Sequence, residues 1–436
     1  FSEKNLITII FLDIIIKENR SDIMRRFIAS LDIGSSLLKL VVAEIVKDKV
    51  NILACVETPA RGIKKGYVIN GESATESLKE IFTKAENVVG LPIKKVLVSV
   101  PSKYAECFLS SSIISTINED RVIRTEDIIK AMQKCVYNKV DESKELVTVL
   151  PTGFKVNDEI VTNPLNMISE GLAMKGVVVT VPKKNLQGIG VCLKNIGVDL
   201  IDIIISPLAD YYQNKTKDSS KEIGAVVNIG EETTVVSIFN KGILTNSEVL
   251  DIGGSTITND LCYVYKIANN DAIYLKEHLA LAHTRLAQPN ESLTFKDKHG
   301  DNIKINQYDA SEVVMQRLTE IINLAKKQIN LLTKKQISYI ILTGGVTETQ
   351  DFDILAEELL GLNGIIGKVN EIGARNNKYS TAVGMLKYYN SRLKLRNIDF
   401  SIFNLEEQEE LSGQNKKVNI PENSILGKLF GYFFDN

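Results

Sequence analysis

Short runs of apolar and β-branched residues, each ended by a glycine-containing turn, recur along this chain and predict buried strands. The first run covers Phe27 to Leu31, and a returning run covers Lys39 to Ile45. Between them lies Asp32-Ile33-Gly34-Ser35-Ser36, whose small and polar residues favour a tight turn. This pattern predicts a β-hairpin with a polar tip.

A second stretch of the chain repeats this pattern. Ile223 to Val227 predicts a strand, Asn228 to Thr234 a turn, and Val235 to Phe239 the strand that returns. Two similar hairpins so far apart indicate a duplicated α/β domain.

A third stretch has a strand that ends in two glycines. Tyr339 to Leu342 predicts a buried strand, Thr343-Gly344-Gly345 ends it, and a helix is expected next. Consecutive glycines allow positive φ angles and let the backbone approach a ligand, so a purine or ribose could lie flat there. Alone, such a turn is common in α/β proteins. In order, the three turns predict two lobes that face each other across a cleft.

The tip of the first hairpin has the chemistry of an anion site. Gly34, Ser35 and Ser36 can offer backbone N–H groups and hydroxyls, and Lys39 can supply a positive charge. Asp32 can hold a hydrated Mg²⁺ through its waters. A Gly/Ser hairpin that binds nothing is the common alternative.

Length and charge narrow the classes of protein. A chain of 436 residues predicts two or three compact units. Its 52 basic and 54 acidic residues nearly cancel, so no nucleic-acid partner is indicated. Five cysteines lack Cys-x-x-Cys spacing, which is typical of a reduced cytosolic protein, and the three histidines lack the neighbours that a zinc site needs.

The first 23 residues contain an apolar run, Leu6 to Ile16, that Asp13 interrupts. The run is too short to cross a bilayer, and no small-residue cleavage site follows it. We interpret residues 1–23 as a non-native or disordered extension and Met24 as a candidate start.

Asp309 to Leu332 is predicted to be an amphipathic helix with a polar, capping start. Val314, Leu318, Ile321 and Ala325 fall on one stripe that should be buried, and Arg317 and Glu320 fall towards the other side. A solvated ion pair is the simplest interpretation of those two charges.

The last part of the chain changes character. Residues 391–420 are polar and mixed in charge, and are predicted to form a flexible linker. Residues 421–436 predict a short amphipathic helix with an apolar face suited to a membrane surface, although it could instead dock on the protein's own core. That face consists of Ile425, Leu426, Leu429, Phe430, Phe433 and Phe434.

In order, the three motifs resemble the actin-like ATPase superfamily, which also includes heat-shock chaperones and sugar kinases. The resemblance implies an α/β, actin-like (ribonuclease H-like) fold, with duplicated domains around a nucleotide cleft that binds ATP and Mg²⁺. It implies metal binding through water for Asp32 and catalytic roles for Asp32 and position 228. The implied nucleotide-binding residues are Asp32, Gly34, Ser35, Ser36, Lys39, Asn228, Gly230, Glu231, Thr233, Gly254, Lys276, Gly344, Gly345 and Val346.

Between the predicted strands 96–100 and 177–181 lies an insert with a helical stretch at 124–136. It occupies the position of the extra subdomain in FtsA, a family of bacterial cell-division proteins. Three local stretches are similar to the same family: 61–66, 163–171 and 380–384.

This resemblance implies a division of the chain. A first lobe covers 24–101 with 183–217 and 366–390, an inserted α+β subdomain covers 102–182, and a second lobe covers 218–365 with a helical subdomain at 266–333. The linker and the terminal helix follow.

The same resemblance implies partners. Arg317 and Glu320 match a docking surface for the C-terminal tail of FtsZ, the tubulin-like division protein, and an arginine suits an acidic peptide. Further implied partners are other copies of the chain, lipids through the terminal helix, and division proteins through the insert. The implied location is the cytoplasmic face of the membrane at the division site.

The chain departs from the superfamily at the second tip, where an aspartate and a glycine-rich turn are usual. It has Asn228 and the pair Glu231-Glu232 instead. An amide lacks the charge that orients Mg²⁺, and acidic groups near a triphosphate are unfavourable unless they point away. We therefore expect ATP binding with slow or absent hydrolysis. A pilus-assembly scaffold and a sugar-kinase-like phosphotransferase are the alternatives, although no catalytic base stands out.

Overall fold

The computed structural model describes residues 25–396 and 398–411. The predictions for residues 1–23 and for the terminal helix at 421–436 fall outside these ranges.

The first sheet has five strands in the order β3-β2-β1-β6-β11. Its strands β1 and β2 form the first predicted hairpin, paired antiparallel, and β6 and β11 add parallel strands on the other side of β1. The strands are β1 Arg25–Ile33, β2 Leu37–Val46, β3 Lys49–Pro59, β6 Lys95–Val100 and β11 Asp199–Ile205.

The second sheet repeats this topology, in the order β14-β13-β12-β17-β18. An antiparallel meander again continues into two parallel strands beside its first member. The duplication that the two hairpins predict is therefore confirmed for the whole sheet. The strands are β12 Ile223–Ile229, β13 Thr234–Asn240, β14 Ile243–Leu250, β17 Tyr339–Thr343 and β18 Gly364–Ile366.

Four helices and a small hairpin cover the first sheet and fill the space between the sheets. Helices α4 and α9 pack between the two sheets, where one apolar core includes Ile28 from the first and Phe239 from the second. Helices α1 and α3 pack on the other face of the first sheet. The elements are α1 Gly71–Val89, α3 Lys184–Asn195, α4 Ser206–Asn214, α9 Ser380–Leu395, β4 Ile63–Lys64 and β5 Tyr67–Val68.

The second sheet carries its own helical layer, which buries the predicted stripe of Val314, Leu318, Ile321 and Ala325. The stripe's helix begins at Gln307 rather than Asp309, because the Asn306 side chain caps it by accepting a hydrogen bond from the Asp309 N–H. The predicted helical subdomain also contains a β-hairpin. The elements are α5 Gly254–Tyr265, α6 Asn269–His278, β15 Ser292–Lys296, β16 Asn302–Asn306, α7 Gln307–Leu332 and α8 Phe352–Leu360, with 3₁₀ turns at Thr284–Leu286, Gly345–Glu348, Gly361–Asn363 and Asn377–Tyr379.

The insert is a four-stranded antiparallel sheet in the order β7-β10-β8-β9, with one helix on one face. This helix begins one residue after the predicted start. The elements are β7 Glu106–Ser115, α2 Thr125–Val136, β8 Lys144–Val156, β9 Glu159–Val161 and β10 Gly171–Pro182.

The prediction of a flexible linker at 391–420 is wrong for its described residues, 391–396 and 398–411. Helix α9 continues to Leu395, and the following chain packs back on the first sheet before the short helix α10 Leu405–Leu411. Ile402 and Phe403 are buried, the Ile402 N–H donates to the Phe27 carbonyl over 2.9 Å, and the Phe403 and Phe27 rings meet edge to face. Apolar anchors spaced among the charges fix the segment. Within residues 25–396 and 398–411, no helix is long and apolar enough to span a membrane.

Candidate functional site

The three predicted turns meet at one cleft of about 900 Å³ between the sheets. They do so because β1, β12 and β17 are central strands whose carboxyl ends reach the same side of the molecule; β12 and β17 run parallel, with Asn228 opposite Thr343. The predicted residues that line the cleft are Asp32, Gly34, Ser35, Ser36, Lys39, Asn228, Gly230, Glu231, Thr233, Lys276, Gly344, Gly345 and Val346. Gly254 is the predicted residue that lies behind the lining, against Glu231 and Val346.

Asp32 lies at the base of the cleft, 8% exposed, with both carboxylate oxygens engaged. Ser99 Oγ donates to Oδ1 over 2.9 Å, and Lys39 Nζ pairs with Oδ2 over 3.1 Å. Lys39 stands opposite Asp32 in the antiparallel register, so the hairpin itself places the pair. The first tip thus presents an oriented carboxylate and a cation side by side.

The two glycines after β17 have different roles. Gly344 has a φ of +97°, and a Cβ there would lie 2.5 Å from both the Ile229 carbonyl oxygen and Asn228 Oδ1. Gly345 is exposed, and a Cβ there would meet nothing closer than Lys378 Cβ at 3.5 Å. Gly344 is therefore required for the fold of the turn, whereas Gly345 leaves the cleft wall bare.

The acidic pair of the second tip is accounted for by partners. Glu231 lines the cleft, but its carboxylate pairs with Lys276 over 3.4 Å. Lys276 also donates to Thr258 Oγ1 over 2.9 Å, which fixes it at the start of α5. Glu232 turns to the first lobe and accepts a hydrogen bond from the Lys65 N–H over 3.1 Å. The charge of Glu231 is thus compensated, and that of Glu232 points away.

Ion pairs at the mouth of the cleft join the second lobe to the first lobe and to the start of the insert. Asp251, which follows β14, pairs with Lys65 over 3.1 Å and with Lys103 over 3.0 Å. The hydrogen bond from Lys103, and then that from Lys65, lowers the pKa of the Asp251 carboxyl. Sequence reasoning missed this contact, because the three residues come together only when the lobes are assembled.

Asp210 is a second residue that sequence reasoning missed. It lies on α4 behind the second tip, 1% exposed, and accepts hydrogen bonds from Asn228 Nδ2 over 2.6 Å and from Thr381 Oγ1 over 3.0 Å. Burial raises the pKa of Asp210 to about 6, and the negative charge of Asp32 acts in the same direction. The only indication in the sequence is weak: Asp210 follows three apolar residues, Pro207, Leu208 and Ala209, at the start of a helix.

The Asp210 carboxyl should make stability fall as the pH rises. The folded state holds this proton up to about pH 6, whereas the unfolded chain releases it near 3.8, so folding is penalised progressively between these values. Asp210→Asn removes the penalty, on the order of 3 kcal/mol at pH 7. Urea unfolding from pH 4 to 7.5 should show that the free energy of unfolding of the variant rises, relative to that of the unmodified chain, up to about pH 6. Above that pH the difference should stay constant.

Glu371 supplies a control of opposite sign, because its hydrogen bond and ion pair with Lys387 lower its pKa against the effect of burial. The stability deficit of Glu371→Gln relative to the unmodified chain should grow as the pH rises to the ordinary carboxyl pKa of 4.5 and stay constant above it. A constant difference between Asp210→Asn and the unmodified chain at every pH would contradict the assignment.

Arg317 pairs with Glu320 as the sequence indicated, and it is also held by a residue that the sequence did not indicate. Asp260 on α5 accepts from Arg317 Nε over 2.5 Å and from Nη2 over 2.9 Å. These bonds raise the pKa of the guanidinium. The arginine is therefore oriented between two helices, with about a quarter of its side chain exposed.

Known structures share this architecture. A chain of the PilM–PilN type IV pilus biogenesis complex aligns with 83% of this chain and over 98% of its own length, at 16% identity and a TM-score of 0.54. MreB5 of Spiroplasma citri bound to ADP aligns with 85% of this chain and over 98% of its own length, at 13% identity and a TM-score of 0.52. The repeated sheets, the cleft between them and these likenesses define an actin-like fold.

The amino-acid sequence identifies the family. The family described as "Cell division protein FtsA" matches residues 225–384, and the "SHS2 domain inserted in FTSA" matches residues 103–180. Cell division protein FtsA of Bacillus subtilis is 28% identical over 380 residues, 86% of each chain, and that of Borreliella burgdorferi is 25% identical over 421 residues, 94% of this chain and 98% of the relative. The chain belongs to the FtsA family of cell division proteins.

Proposed function

We propose that this chain binds ATP with Mg²⁺ in the cleft, assembles with copies of itself, and tethers the FtsZ ring to the cytoplasmic face of the membrane at the division site. The observation that carries the proposal is the meeting of three turns, from two sheets of the same topology, at one cleft. Membership of a cell division family supports the cellular role.

The lining of the cleft fits a magnesium nucleotide. At Gly34 a Cβ would lie 2.6 Å from the Leu37 carbonyl, so the first tip keeps its backbone close and bare beside Ser35 and Ser36. Backbone N–H groups and hydroxyls in such a turn suit phosphate oxygens. Asp32 would hold Mg²⁺ through water, and the metal, when bound, would neutralise phosphate charge. MreB5 of Spiroplasma citri, with the same fold, was solved bound to ADP and to AMPPNP.

The second tip supports binding more than hydrolysis. Position 228 supplies a neutral amide, whose Nδ2 is occupied by Asp210 and Thr381. The neighbouring carboxylate, Glu231, is held through Oε1 by Lys276 over 3.4 Å. We expect ATP turnover by the purified chain to be slow or absent.

Membrane tethering is assigned to residues 421–436. Sedimentation with liposomes of neutral and anionic lipid, in the presence of ATP and Mg²⁺, should carry down the full chain but leave a chain ending at Leu411 in solution. Because the tail is apolar and has few cations, binding should depend little on anionic lipid.

A full-length variant with Leu429→Ser and Phe430→Ser should behave as the truncated chain does, whereas Asn415→Ser should sediment like the unmodified chain. Equal sedimentation of all four proteins would remove the tether from the proposal.

Docking of the FtsZ C-terminal tail is assigned to the surface around Arg317 and Glu320. In the free protein Asp260 engages two nitrogens of the guanidinium. An acidic peptide would have to compete with Asp260 for them. Arg317→Ala should therefore weaken binding of the tail peptide about tenfold, and Asp260→Asn should strengthen it, as measured by fluorescence anisotropy.

Arg285→Ala is the matched control, since Arg285 is an exposed arginine of the same lobe. It should bind the peptide like the unmodified chain. If Asp260→Asn weakens binding as much as Arg317→Ala does, the pair serves the helix packing and not the peptide.

A further inference from the structure

Position 228 has a neutral amide, but a carboxylate, that of Asp210, lies directly behind it. Asp210 Oδ2 lies 2.6 Å from Asn228 Nδ2, and Asp210 is almost completely buried behind that amide. Members of the actin-like superfamily usually have an aspartate where this chain has Asn228. Here an amide faces the cleft and a carboxylate stands behind it.

The hydrogen bonds fix which way the amide points. Asn228 Nδ2 donates to Asp210 Oδ2 and, over 3.3 Å, to Thr381 Oγ1, so both of its hydrogens are used. Thr381 in turn donates to the other oxygen of Asp210 over 3.0 Å. Asn228 Oδ1 is left on the side of Gly344, where a Cβ would come within 2.5 Å of it. The acceptor oxygen is therefore turned away from Asp210 and beside a residue that lines the cleft.

We propose that Asp210 is a positioning residue for the nucleotide-bound Mg²⁺: it holds Asn228 with Oδ1 towards the cleft and adds its negative charge behind that amide. The pair Asp210–Asn228 thereby supplies the negative charge of an aspartate but presents no carboxylate oxygen to the cleft, which agrees with slow or absent hydrolysis. This inference rests on the proposed binding of a magnesium nucleotide.

The physical basis is the weak screening of a buried charge. A carboxylate with 1% exposure acts through the protein interior, where electrostatic interactions are stronger than in water. A hydrogen bond to an ionised acceptor is also shorter and stronger than one between neutral groups, and it polarises the amide so that Oδ1 becomes a better acceptor. The charge thus reaches the cleft without a second bare carboxylate beside the phosphates.

The experiment compares ADP binding in MgCl₂ and in EDTA by calorimetry. In MgCl₂ the Asp210→Asn variant should bind ADP about tenfold more weakly than the unmodified chain does. In EDTA the two proteins should bind ADP with equal affinity. The exchange variant Asn228→Asp with Asp210→Asn should recover the Mg²⁺-dependent affinity. Asp202→Asn is the control, because Asp202 is a half-buried carboxyl whose pKa is also raised by burial but which does not line the cleft.

A second measurement needs no nucleotide. Asn228→Asp alone places two carboxylates in contact, so its urea midpoint at pH 8 should fall, and adding Asp210→Asn should restore it. An Asn228→Asp midpoint equal to that of the unmodified chain overturns the inference. So does an Asp210→Asn protein whose ADP affinity responds to Mg²⁺ as the unmodified chain does. If the unmodified chain binds no ADP in MgCl₂, the proposed function fails, and the inference fails with it.

Discussion

Gly384→Ala is expected to destabilise the chain by about 3 kcal/mol, a large part of the net stability of a typical protein. Gly384 lies where α9 crosses α4 between the two sheets. A Cβ at this position would lie 2.0 Å from the Ala209 carbonyl oxygen and 2.5 Å from its carbon. Both neighbours belong to the backbone, so no side chain can move aside and the helices must separate. Urea unfolding at neutral pH should show the loss directly.

Gly190→Ala is the matched control, because Gly190 also lies inside a helix, α3, and a Cβ there would meet no atom of the described residues within 4 Å. An added methyl group should stabilise that helix by roughly 0.5–1 kcal/mol. If both variants unfold at the same urea concentration, the close crossing of α4 and α9 does not exist in solution.

Gly345→Leu is expected to reduce the affinity for ATP and Mg²⁺ by at least about tenfold while leaving the fold intact. Gly345 is exposed in the cleft and has room for a Cβ, whose nearest neighbour would be Lys378 Cβ at 3.5 Å. A leucine side chain would therefore occupy cleft space and not the protein interior. Calorimetry should report the lost binding, and the urea midpoint should stay close to that of the unmodified chain.

Two glycines serve as controls for this result. Gly71→Leu adds the same side chain at an open surface position and should leave ATP binding unchanged. Gly344→Ala should instead lower stability, because its Cβ would meet the Ile229 carbonyl in a positive-φ conformation. Full ATP affinity in Gly345→Leu would show that the nucleotide does not bind at this wall.

Local patterns predicted the parts of the fold that short segments determine. Each hairpin combines short runs of apolar and β-branched residues with a glycine-containing turn, so β1–β2 and β12–β13 could be found in the sequence, and their similarity predicted the duplication that the sheet order confirms. The buried stripe of α7 was predictable because its apolar residues recur at helical spacing.

Features that depend on assembly were not predictable. In the sequence Asp210 resembles a solvated carboxylate, and only the placement of α4 between the sheets shows that it is buried. Asp251 meets Lys65 of the first lobe and Lys103 of the insert only when these parts are assembled. The segment after α9 was predicted to be a linker because it contains more charged residues than buried apolar ones. Two apolar residues, Ile402 and Phe403, are enough to hold it on β1.

Calorimetric titration of the purified full chain with ATP in excess Mg²⁺ tests the central claim most directly. We expect saturable binding of one nucleotide per chain, weakened by Gly345→Leu and unaffected by Gly71→Leu. Heats no larger than those of dilution, from a chain that unfolds cooperatively in urea, would contradict it.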